Sequence, residues 1–259
     1  MINLGPAGIG SFKNIEETMP KYRKLGIKCA EIPFTYQVWL SNEQAKKVGI
    51  EAEKNNVELT IHAQYWINLN SNEEKKVKDS MKRILDCCER AHYCKAKYVV
   101  FHAAYYMKKT PEEVYEIVKK RILEMQSIIK KNKWNVFLAP ETTGKQSQFG
   151  TLKELIKLHK ETGCFLCVDF AHIEARLGKE DYPEVLEELK QNKINNLHCH
   201  FSGIEYSVKG ERRHVTTPSD KIKKLLTAIE NSHLNVNIIN EAPDPVEDTI
   251  KSLKIYHKL

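Results

Sequence analysis

Histidine, aspartate and glutamate residues follow short apolar segments at several places along the 259-residue chain. They are His62, His102, Glu141, Asp169, His172, His198, His200, His214 and Glu241. This mixture of imidazoles and carboxylates suits zinc or manganese better than magnesium or calcium, which prefer oxygen ligands. Because one ion cannot bind so many groups, the pattern predicts a multinuclear centre, with a carboxylate such as Glu141 bridging two ions roughly 3.5–4 Å apart. Phosphodiester hydrolysis is the natural chemistry of such a centre.

Each of these residues also has a structural explanation when it is taken alone. A histidine at a strand end is usually hydrogen-bonded, Asp169 could cap a helix, and Glu241 could be a solvated loop residue. The prediction rests on their joint placement, because five of the last six predicted strands end in a candidate ligand. The other histidines lie on predicted helices or helix ends and are interpreted as structural or exposed: His92, His159, His233 and His257.

Eight apolar runs, separated by charged helix-forming segments, must position these groups. The runs are Met1–Ile9, Cys29–Phe34, Val57–Ile61, Tyr98–His102, Asn135–Pro140, Phe165–Asp169, Asn196–Phe201 and Asn235–Asn240. Eight strand–helix units in a chain of this length predict a single-domain α/β fold, a (β/α)₈ TIM barrel over residues 1–259. In such a barrel the carboxyl ends of all strands converge on one face, which carries the active site. A doubly wound open sheet is the alternative, but Gly5–Gly10 forms only a weak match to a phosphate-binding loop.

Local signals mark the ends of several predicted helices. Ser41, Thr110 and Ser219 stand where helices begin, and Gly26 and Gly163 stand where helices end. Small polar residues satisfy the first backbone N–H groups of a helix, and glycine accepts the left-handed conformation that ends one.

Composition limits the classes of protein. The net charge of +7 suits a polyanionic partner, although lysine-rich helix faces are commonly just solvated. No run approaches the roughly 18 apolar residues of a membrane helix, and the amino terminus lacks the pattern of a secretory signal. The seven cysteines are interpreted as reduced, mainly structural thiols of a cytoplasmic protein.

Aromatic residues stand in two predicted loops beside the candidate ligands. The loop after the second run carries Gln37 and Trp39, and the loop after the third run carries Tyr65 and Trp66. Aromatic rings at the mouth of a barrel can stack on nucleic-acid bases, and Tyr65 is the better candidate for a base-stacking wedge. Packing of both tryptophans against neighbouring helices, or a lid over a small sugar, are the alternatives.

These residues, taken in order, resemble the endonuclease IV family of abasic-site nucleases. The run His62-Ala-Gln-Tyr65-Trp-Ile-Asn68-Leu69 is similar to the family signature His-x-x-Tyr-x-x-Asn-Leu. The other matching motifs are Phe101-His102, Pro140-Glu141-Thr-Thr-Gly144, Val168-Asp169-Phe-Ala-His172, Arg213-His214 and Asn240-Glu241-Ala-Pro243. The resemblance covers essentially the whole chain, and the linked set is specific although no single motif is.

The resemblance implies a zinc-dependent enzyme that flips an abasic nucleotide out of duplex DNA and cleaves the phosphodiester on its 5′ side. The products would be a 3′-hydroxyl and a 5′-deoxyribose phosphate. By position it implies one zinc at His62, His102 and Glu141, a second at Glu141, Asp169, His198 and Glu241, and a third at His172 and His214. Glu141 would also orient the attacking hydroxide, so it is the catalytic residue. Tyr65 would enter the DNA, with Trp39, Gln37 and Arg213 as further candidate contacts.

The chain departs from the family pattern at three positions. Arg212 stands where the family has an aspartate ligand of the third zinc, so the adjacent Glu211 could replace it or the third site could be weak or absent. Gln37 stands where the family has an arginine. On the seventh run His198 and His200 point to the same side, and His198 is favoured because Ser202 then keeps the family's spacing.

Two other functions remain open. A sugar isomerase or epimerase of the same barrel superfamily would use Glu141, Asp169 and Glu241 around a single divalent ion, and Arg212 is the feature that keeps this alternative open. A barrel that binds nucleic acid without turnover is the third possibility. We expect two or three Zn²⁺ ions, with Mn²⁺ as an alternative metal, duplex DNA with abasic sites as partner, no membrane association and a monomer.

Overall fold

Eight parallel strands form a closed barrel in the computed structural model, which describes residues 1–259. The strands are β1 (Ile2–Pro6), β2 (Cys29–Pro33), β3 (Glu58–His62), β4 (Tyr98–Phe101), β5 (Phe137–Pro140), β6 (Cys167–Asp169), β7 (Asn196–Phe201) and β8 (Asn235–Asn240). They pair as two four-stranded sheets, one of β6, β7, β8 and β1 and one of β2 to β5. Isolated parallel bridges between Ala7 and Glu31, and between Glu141 and Cys167, join the two sheets into a ring. The predicted α/β TIM barrel is confirmed.

At least one helix follows every strand and covers the outside of the barrel. The helices are α1 (Ile15–Leu25), α2 (Asn42–Lys54), α3 (Glu74–Cys94), α4 (Pro111–Lys131), α5 (Leu152–Thr162), α6 (Phe170–Leu177), α7 (Tyr182–Gln191), α8 (Ser219–Ser232) and α9 (Pro245–Tyr256). A 3₁₀ turn over Phe12–Asn14 precedes α1. Two helices, α6 and α7, lie between β6 and β7.

Most of the predicted helix ends are confirmed. Ser41 and Thr110 form capping boxes at the starts of α2 and α4. Gly26 and Gly163 end α1 and α5 with left-handed φ angles of 80° and 68°. The prediction for Ser219 is wrong in one respect, since Ser219 is the first residue of α8 and no side chain caps that helix.

The hydrophobic core lies mainly between the strands and the surrounding helices. Inside the barrel, the ring of Phe165 stacks on Tyr98 at the amino ends of the strands, with a centroid distance of 4.1 Å. The barrel interior nearer the carboxyl ends is polar, with Glu31, Thr60 and His198 buried there. All seven cysteines are buried free thiols. No helix combines the length and the apolar character that crossing a membrane would need.

Two antiparallel pairs of short strands build the loops above the carboxyl ends. Ala104–Tyr105 pairs with Gln148–Phe149 and ties the loop after β4 to the loop after β5. After β7 the chain forms a hairpin of Gly203–Ser207 and Gly210–Val215. This hairpin contacts α6, and it brings a distant segment of the chain over the mouth of the barrel.

Candidate metal centre

The carboxyl ends of the strands surround one cavity of about 510 Å³. Its lining includes most of the predicted ligands: His62, His102, His172, Glu211, His214 and Glu241. Asp169, Glu141 and His200 are buried beneath them. Strands far apart in sequence therefore bring their imidazoles and carboxylates to one place, as convergence at the barrel face requires.

The buried carboxylate of Glu141, at the end of β5, lies at the middle of this cluster. Its Oε2 is 3.1 Å from His62 Nε2 and 3.0 Å from His102 Nε2. Its Oε1 is 3.1 Å from His200 Nδ1 and 3.3 Å from His172 Nδ1. The two oxygens thus face different sets of histidines, which is the arrangement that a bridging carboxylate needs.

A second set of donors shares Glu141 and extends toward β8. Ligand atoms of Glu141, Asp169, His200 and Glu241 all lie within 4.8 Å of one another. Asp169 also caps α6, because its Oδ1 accepts a 2.8 Å hydrogen bond from the backbone N–H of His172. Its Oδ2 is buried and has no hydrogen bond. One oxygen can therefore serve the helix while the other remains available to an ion.

The third set of donors contains Asp169, His172 and His214, again within 4.8 Å of one another. Glu211 Oε2 lies 3.4 Å from His172 Nε2. A β-bulge explains this approach, because Arg213 pairs with Glu205 and Glu211 pairs with Tyr206, which leaves Arg212 without a partner. Arg212 and Arg213 are consequently both exposed, while Glu211 and His214 face the cavity.

Hydrogen bonds fix which nitrogen of three of the histidines remains available to a ligand. Nδ1–H of His62 donates to the carbonyl of Ala63 (2.8 Å), and that of His172 donates to the carbonyl of Thr142 (3.0 Å). Nδ1–H of His214 donates to the hydroxyl of Ser202 (2.6 Å), which itself donates to a backbone carbonyl. Each ring therefore keeps the lone pair on Nε2 for a ligand, as second-shell hydrogen bonds at metal sites do.

The electrostatics of the cluster favour cations. Burial alone would raise the pKa of Glu141, but the neighbouring His200 and His102 hold it well below its usual range. Burial opposes protonation of His62, yet its hydrogen bond and charge interaction with Glu141 raise its pKa to about 9. The pKa of Glu241 falls to about 2 against the effect of burial, chiefly because of His200. The ionised carboxylates therefore stabilise positive charge at this place. Divalent ions would supply that charge in place of protons on the histidines.

The donor set fits divalent metal ions. Oδ2 of Asp169 and Nε2 of His172 are buried and have no hydrogen-bond partner, so their lone pairs are available. Imidazoles and carboxylates in overlapping groups match the ligand preferences of zinc, with manganese as an alternative. Cysteine is absent from four of the five donor groups, and Cys167 occurs only in a group with His198 and His200.

Comparison with known proteins places this barrel in a family. Residues 20–258 match the model of the xylose isomerase-like TIM barrel family. The chain belongs to this family.

Two curated relatives align with the chain over different lengths. An uncharacterised protein of Methanocaldococcus jannaschii is 32% identical over 271 residues, which cover 100% of this chain and 98% of the relative. A probable endonuclease 4 of Mycoplasmopsis synoviae is 27% identical over 164 residues, which cover 60% of this chain and 57% of the relative.

Solved structures of the same fold include both nucleases and epimerases. Endonuclease IV from Thermus thermophilus superimposes with a TM-score of 0.74 at 20% identity, covering 99% of this chain and 98% of that one. A D-tagatose 3-epimerase-like protein gives 0.75 at 18% identity, with 99% and 96% covered. The IolI protein with a bound zinc atom gives 0.73 at 16% identity, with 99% and 95% covered. At these identities the likeness establishes the fold and leaves the reaction open.

The structure brings His200, and not the favoured His198, next to Glu141 and Glu241. His200 Nδ1 lies 3.1 Å from Glu141 and 3.4 Å from Glu241. His198 lies deeper in the barrel, where its Nε2 contacts Glu31 at 3.0 Å. Both rings point inward, since they are two residues apart on β7, but the outer one reaches the centre. The geometry therefore favours His200 as the ligand, whereas the spacing to Ser202 favours His198.

Glu31 is a residue of the site that sequence reasoning missed. It lies in β2, its side chain is buried, and it contacts both His198 and His200. The available signal was an acidic residue inside the apolar run Cys29–Phe34, where a charged side chain requires a partner.

The predicted DNA contacts have different surroundings. Tyr65 lines the cavity and is 60% exposed. With the exposed Tyr36 and Trp66 it forms an aromatic trio, in which the ring centroids of Tyr36 lie 6.1 Å from Tyr65 and 6.4 Å from Trp66. Trp39 instead packs edge-on against buried Phe34 at 5.7 Å, so packing explains much of its placement.

The two polar candidates for DNA contact lie outside the cavity lining. Gln37 is exposed in the loop that also carries Tyr36 and Trp39. Arg213 is exposed on the outer face of the hairpin and makes two 2.9 Å hydrogen bonds to Glu205. Any contact of Arg213 with DNA would therefore compete with this ion pair.

Proposed function

We propose that this protein is a zinc-dependent endonuclease of base excision repair that cleaves duplex DNA on the 5′ side of an abasic site. The observation that carries the proposal is a set of four overlapping donor groups, which share Glu141, Asp169, His172 and His200. A single-ion enzyme has no use for the extra histidines, whereas phosphodiester hydrolysis uses several ions to bind the attacking and leaving oxygens.

The roles of the chain's own residues follow from their positions. His62, His102 and Glu141 would hold one ion, Glu141, Asp169, His200 and Glu241 a second, and His172, His214 and Glu211 a third. When bound, zinc would lower the pKa of water and neutralise charge on the phosphate. Glu141 is the catalytic residue of the proposal, because its carboxylate lies between the donor groups and could orient the nucleophilic water.

The mouth of the cavity supports a nucleic-acid substrate. The aromatic trio stands beside the ligands and offers exposed rings to a base or to the gap that an extruded nucleotide leaves. Lys145 also lines the cavity and could contact a phosphate. The probable endonuclease 4 among the relatives, and the endonuclease IV with the same fold, agree with this substrate class.

The test uses a duplex oligonucleotide with one natural abasic site or one tetrahydrofuran analogue. The zinc-loaded protein is expected to nick it on the 5′ side, to leave a 3′-hydroxyl and a 5′-deoxyribose phosphate, and to lose this activity on prolonged chelation. Glu141→Gln should reduce the rate by roughly 10³-fold, because loss of metal charge stabilisation costs several kcal/mol. Glu58→Gln, at the exposed opposite end of the barrel, is the matched control. An intact abasic substrate with fully zinc-loaded protein would exclude the proposal.

A metal-dependent sugar epimerase or isomerase is the second candidate. The single observation in its favour is the compact group of Glu141, Asp169, His200 and Glu241, which is complete enough to bind one ion by itself. Structures with epimerase names share the fold. Metal content separates the two candidates, because two or three zinc ions per chain favour hydrolysis, whereas one manganese or magnesium ion with turnover of a free ketose favours epimerisation. Tight binding of abasic duplex without cleavage would indicate a barrel that only binds nucleic acid.

We also expect a cytoplasmic monomer of a single domain. A monomer is sufficient for the proposed reaction, since every proposed ligand comes from one chain. Size-exclusion chromatography with light scattering tests the oligomeric state, and a dimer would contradict this part of the proposal.

A further inference from the structure

A buried carboxylate lies directly under the proposed metal centre. Glu31 extends from β2 into the barrel, where its Oε2 accepts hydrogen bonds from the hydroxyl of Thr60 (2.7 Å) and from Nε2–H of His198 (3.0 Å). Its Oε1 lies 2.9 Å from Nε2 of His200, and each of these two buried atoms is without a hydrogen-bond partner. An isolated buried carboxylate would be costly, so these three contacts are what make Glu31 tolerable at this position.

The chemistry of the carboxylate determines where both imidazoles carry their protons. An ionised carboxylate only accepts hydrogen bonds, so the Nε2 atom that His198 presents to Glu31 carries a proton, and Nε2 of His200 would carry one when a metal ion occupies its Nδ1. The lone pair of His200 is then on Nδ1. That atom is the one that faces Glu141 at 3.1 Å and Glu241 at 3.4 Å.

His200 differs in this respect from three other histidines of the centre. The outer nitrogens of His62, His172 and His214 donate to neutral acceptors, which are two backbone carbonyls and one hydroxyl. The outer nitrogen of His200 instead lies beside a carboxylate, that of Glu31, at 2.9 Å. A carboxylate is a stronger acceptor than a carbonyl, and it makes the opposite nitrogen a better metal ligand.

We propose that Glu31 is a positioning residue that holds His200 in the Nε2–H tautomer and thereby strengthens the binding of the ion held by Glu141, Asp169, His200 and Glu241. The proposal rests on the metal centre of the proposed function, and it adds a residue outside the ligand set. His198 completes the arrangement, because it occupies the second oxygen of Glu31 and so fixes the rotation of the carboxylate toward His200.

The variant Glu31→Gln tests the proposal with little change in shape. The single acceptor oxygen of glutamine cannot serve both imidazoles, and it is neutral. Zinc affinity, measured by competition with a chromophoric chelator, is expected to fall about 10- to 100-fold for one ion of the centre. Thr60→Val is the matched control, because it removes a hydrogen bond from the same carboxylate without touching the oxygen that faces His200. It should stay within about twofold to threefold of the unaltered protein.

A second measurement does not depend on a variant that must fold. Nitrogen-15 histidine spectra of the zinc-loaded protein report which ring nitrogen carries the proton. We expect Nε2–H on both His198 and His200, and loss of the fixed His200 tautomer in Glu31→Gln. A proton on Nδ1 of His200 in the zinc-loaded protein, or equal zinc loss in Glu31→Gln and Thr60→Val, would overturn the proposal.

The two proposals fail in distinguishable ways. Weaker zinc binding in Glu31→Gln, in a protein that leaves abasic DNA intact, supports the role of Glu31 and removes only the nuclease. Unchanged zinc affinity in Glu31→Gln, in a protein that nicks abasic DNA, removes only the role of Glu31.

Cys167, His198 and His200 could also surround an additional ion. The cobalt-loaded protein would then show a thiolate-to-metal absorption band that is lost in Cys167→Ser and kept in Cys199→Ser. Such a band would mean that an ion binds His198 and His200 where the proposal places their hydrogen bonds to Glu31, and it would overturn the proposal.

Discussion

The Oε2 atom of Glu211 lies 3.4 Å from Nε2 of His172, although Glu211 precedes His214 by three residues in the same strand. In a regular strand the side chains of Glu211 and His214 would point to opposite faces. The bulge at Arg212 turns Glu211 back toward the cavity, so a carboxylate reaches the third donor group in spite of the arginine.

We therefore expect Glu211→Gln to bind one zinc ion fewer per chain and to keep the other sites. The neutral amide is a much weaker ligand, whereas the Glu141 groups are untouched. Metal content by inductively coupled plasma mass spectrometry, together with abasic-site cleavage, checks this. Glu205→Gln on the outer face of the hairpin is the control and should keep all ions. Full zinc content in Glu211→Gln would show that the third site does not use this carboxylate.

The pH dependence of stability should reverse when zinc is bound. In the metal-free protein the pKa of His62 is raised from 6.5 to about 9 through Glu141. A raised pKa stabilises the folded protein fully below pH 6.5, and this stabilisation, up to about 3 kcal/mol, is lost as the pH rises through 9. Zinc displaces the same protons, so stabilisation by zinc should instead grow over this range.

Urea unfolding between pH 6.5 and 9 tests both predicted directions. The free energy of unfolding should fall with pH in the presence of a chelator, and stabilisation by zinc should grow with pH. Glu241 does not interfere, because its pKa is lowered to about 2 and it therefore stays ionised in this range. His62→Asn should make the stability of the metal-free protein less dependent on pH, because it removes one of the groups that titrate in this range. If the free energy of unfolding of the metal-free protein rises with pH, the prediction is contradicted.

Much of the fold and of the site could be predicted from the sequence because both depend on strand ends. Apolar runs and helix caps locate the strands, and barrel closure then brings His62, His102, Glu141, Asp169 and Glu241 together. How far along the barrel axis each inward-pointing side chain lies could not be predicted in the same way. His198 and His200 have the same periodicity, and only the stagger between neighbouring strands decides which of them reaches Glu141.

The sequence named Glu211 as a possible ligand but could not decide between Glu211 and a weak or absent third site. Simple alternation from His214 assigns the inward position to Arg212, and a bulge depends on how the hairpin docks on the loop after β5. Glu31 was missed for a related reason, since an acidic residue in a strand reveals that it needs a partner but not which partner it has.

Tyr65 and Trp39 should have separable effects. Tyr65→Ala should weaken binding to abasic duplex by roughly 5- to 150-fold, because stacking contributes about 1–3 kcal/mol per base. Fluorescence anisotropy in chelator measures binding without cleavage. Trp39→Ala should mainly lower the free energy of unfolding, by roughly 1–3 kcal/mol, because its indole packs on Phe34 and donates to the carbonyl of Pro33. Equal losses of DNA affinity in both variants would contradict a special role for Tyr65.

The docking of the hairpin gives a last prediction, which concerns Gly210. This residue has a φ of 94°, and a Cβ atom there would lie 2.1 Å from the carbonyl oxygen of Gly144. The same carbonyl accepts the backbone N–H of Glu211 at 3.2 Å. Gly210→Ala should therefore displace the hairpin, withdraw Glu211 from His172 and reproduce the loss of one zinc ion expected for Glu211→Gln.

Gly178→Ala separates this displacement from general backbone strain. Gly178 also has a positive φ, 69°, but its Cβ would meet no atom within 4 Å. Alanine there should cost about 1 kcal/mol of stability through strain alone and leave the zinc content unchanged. Thermal unfolding and metal analysis of both variants provide the comparison. If Gly210→Ala keeps every ion while losing only as much stability as Gly178→Ala, contact between the hairpin and Gly144 is not what holds Glu211 at the centre.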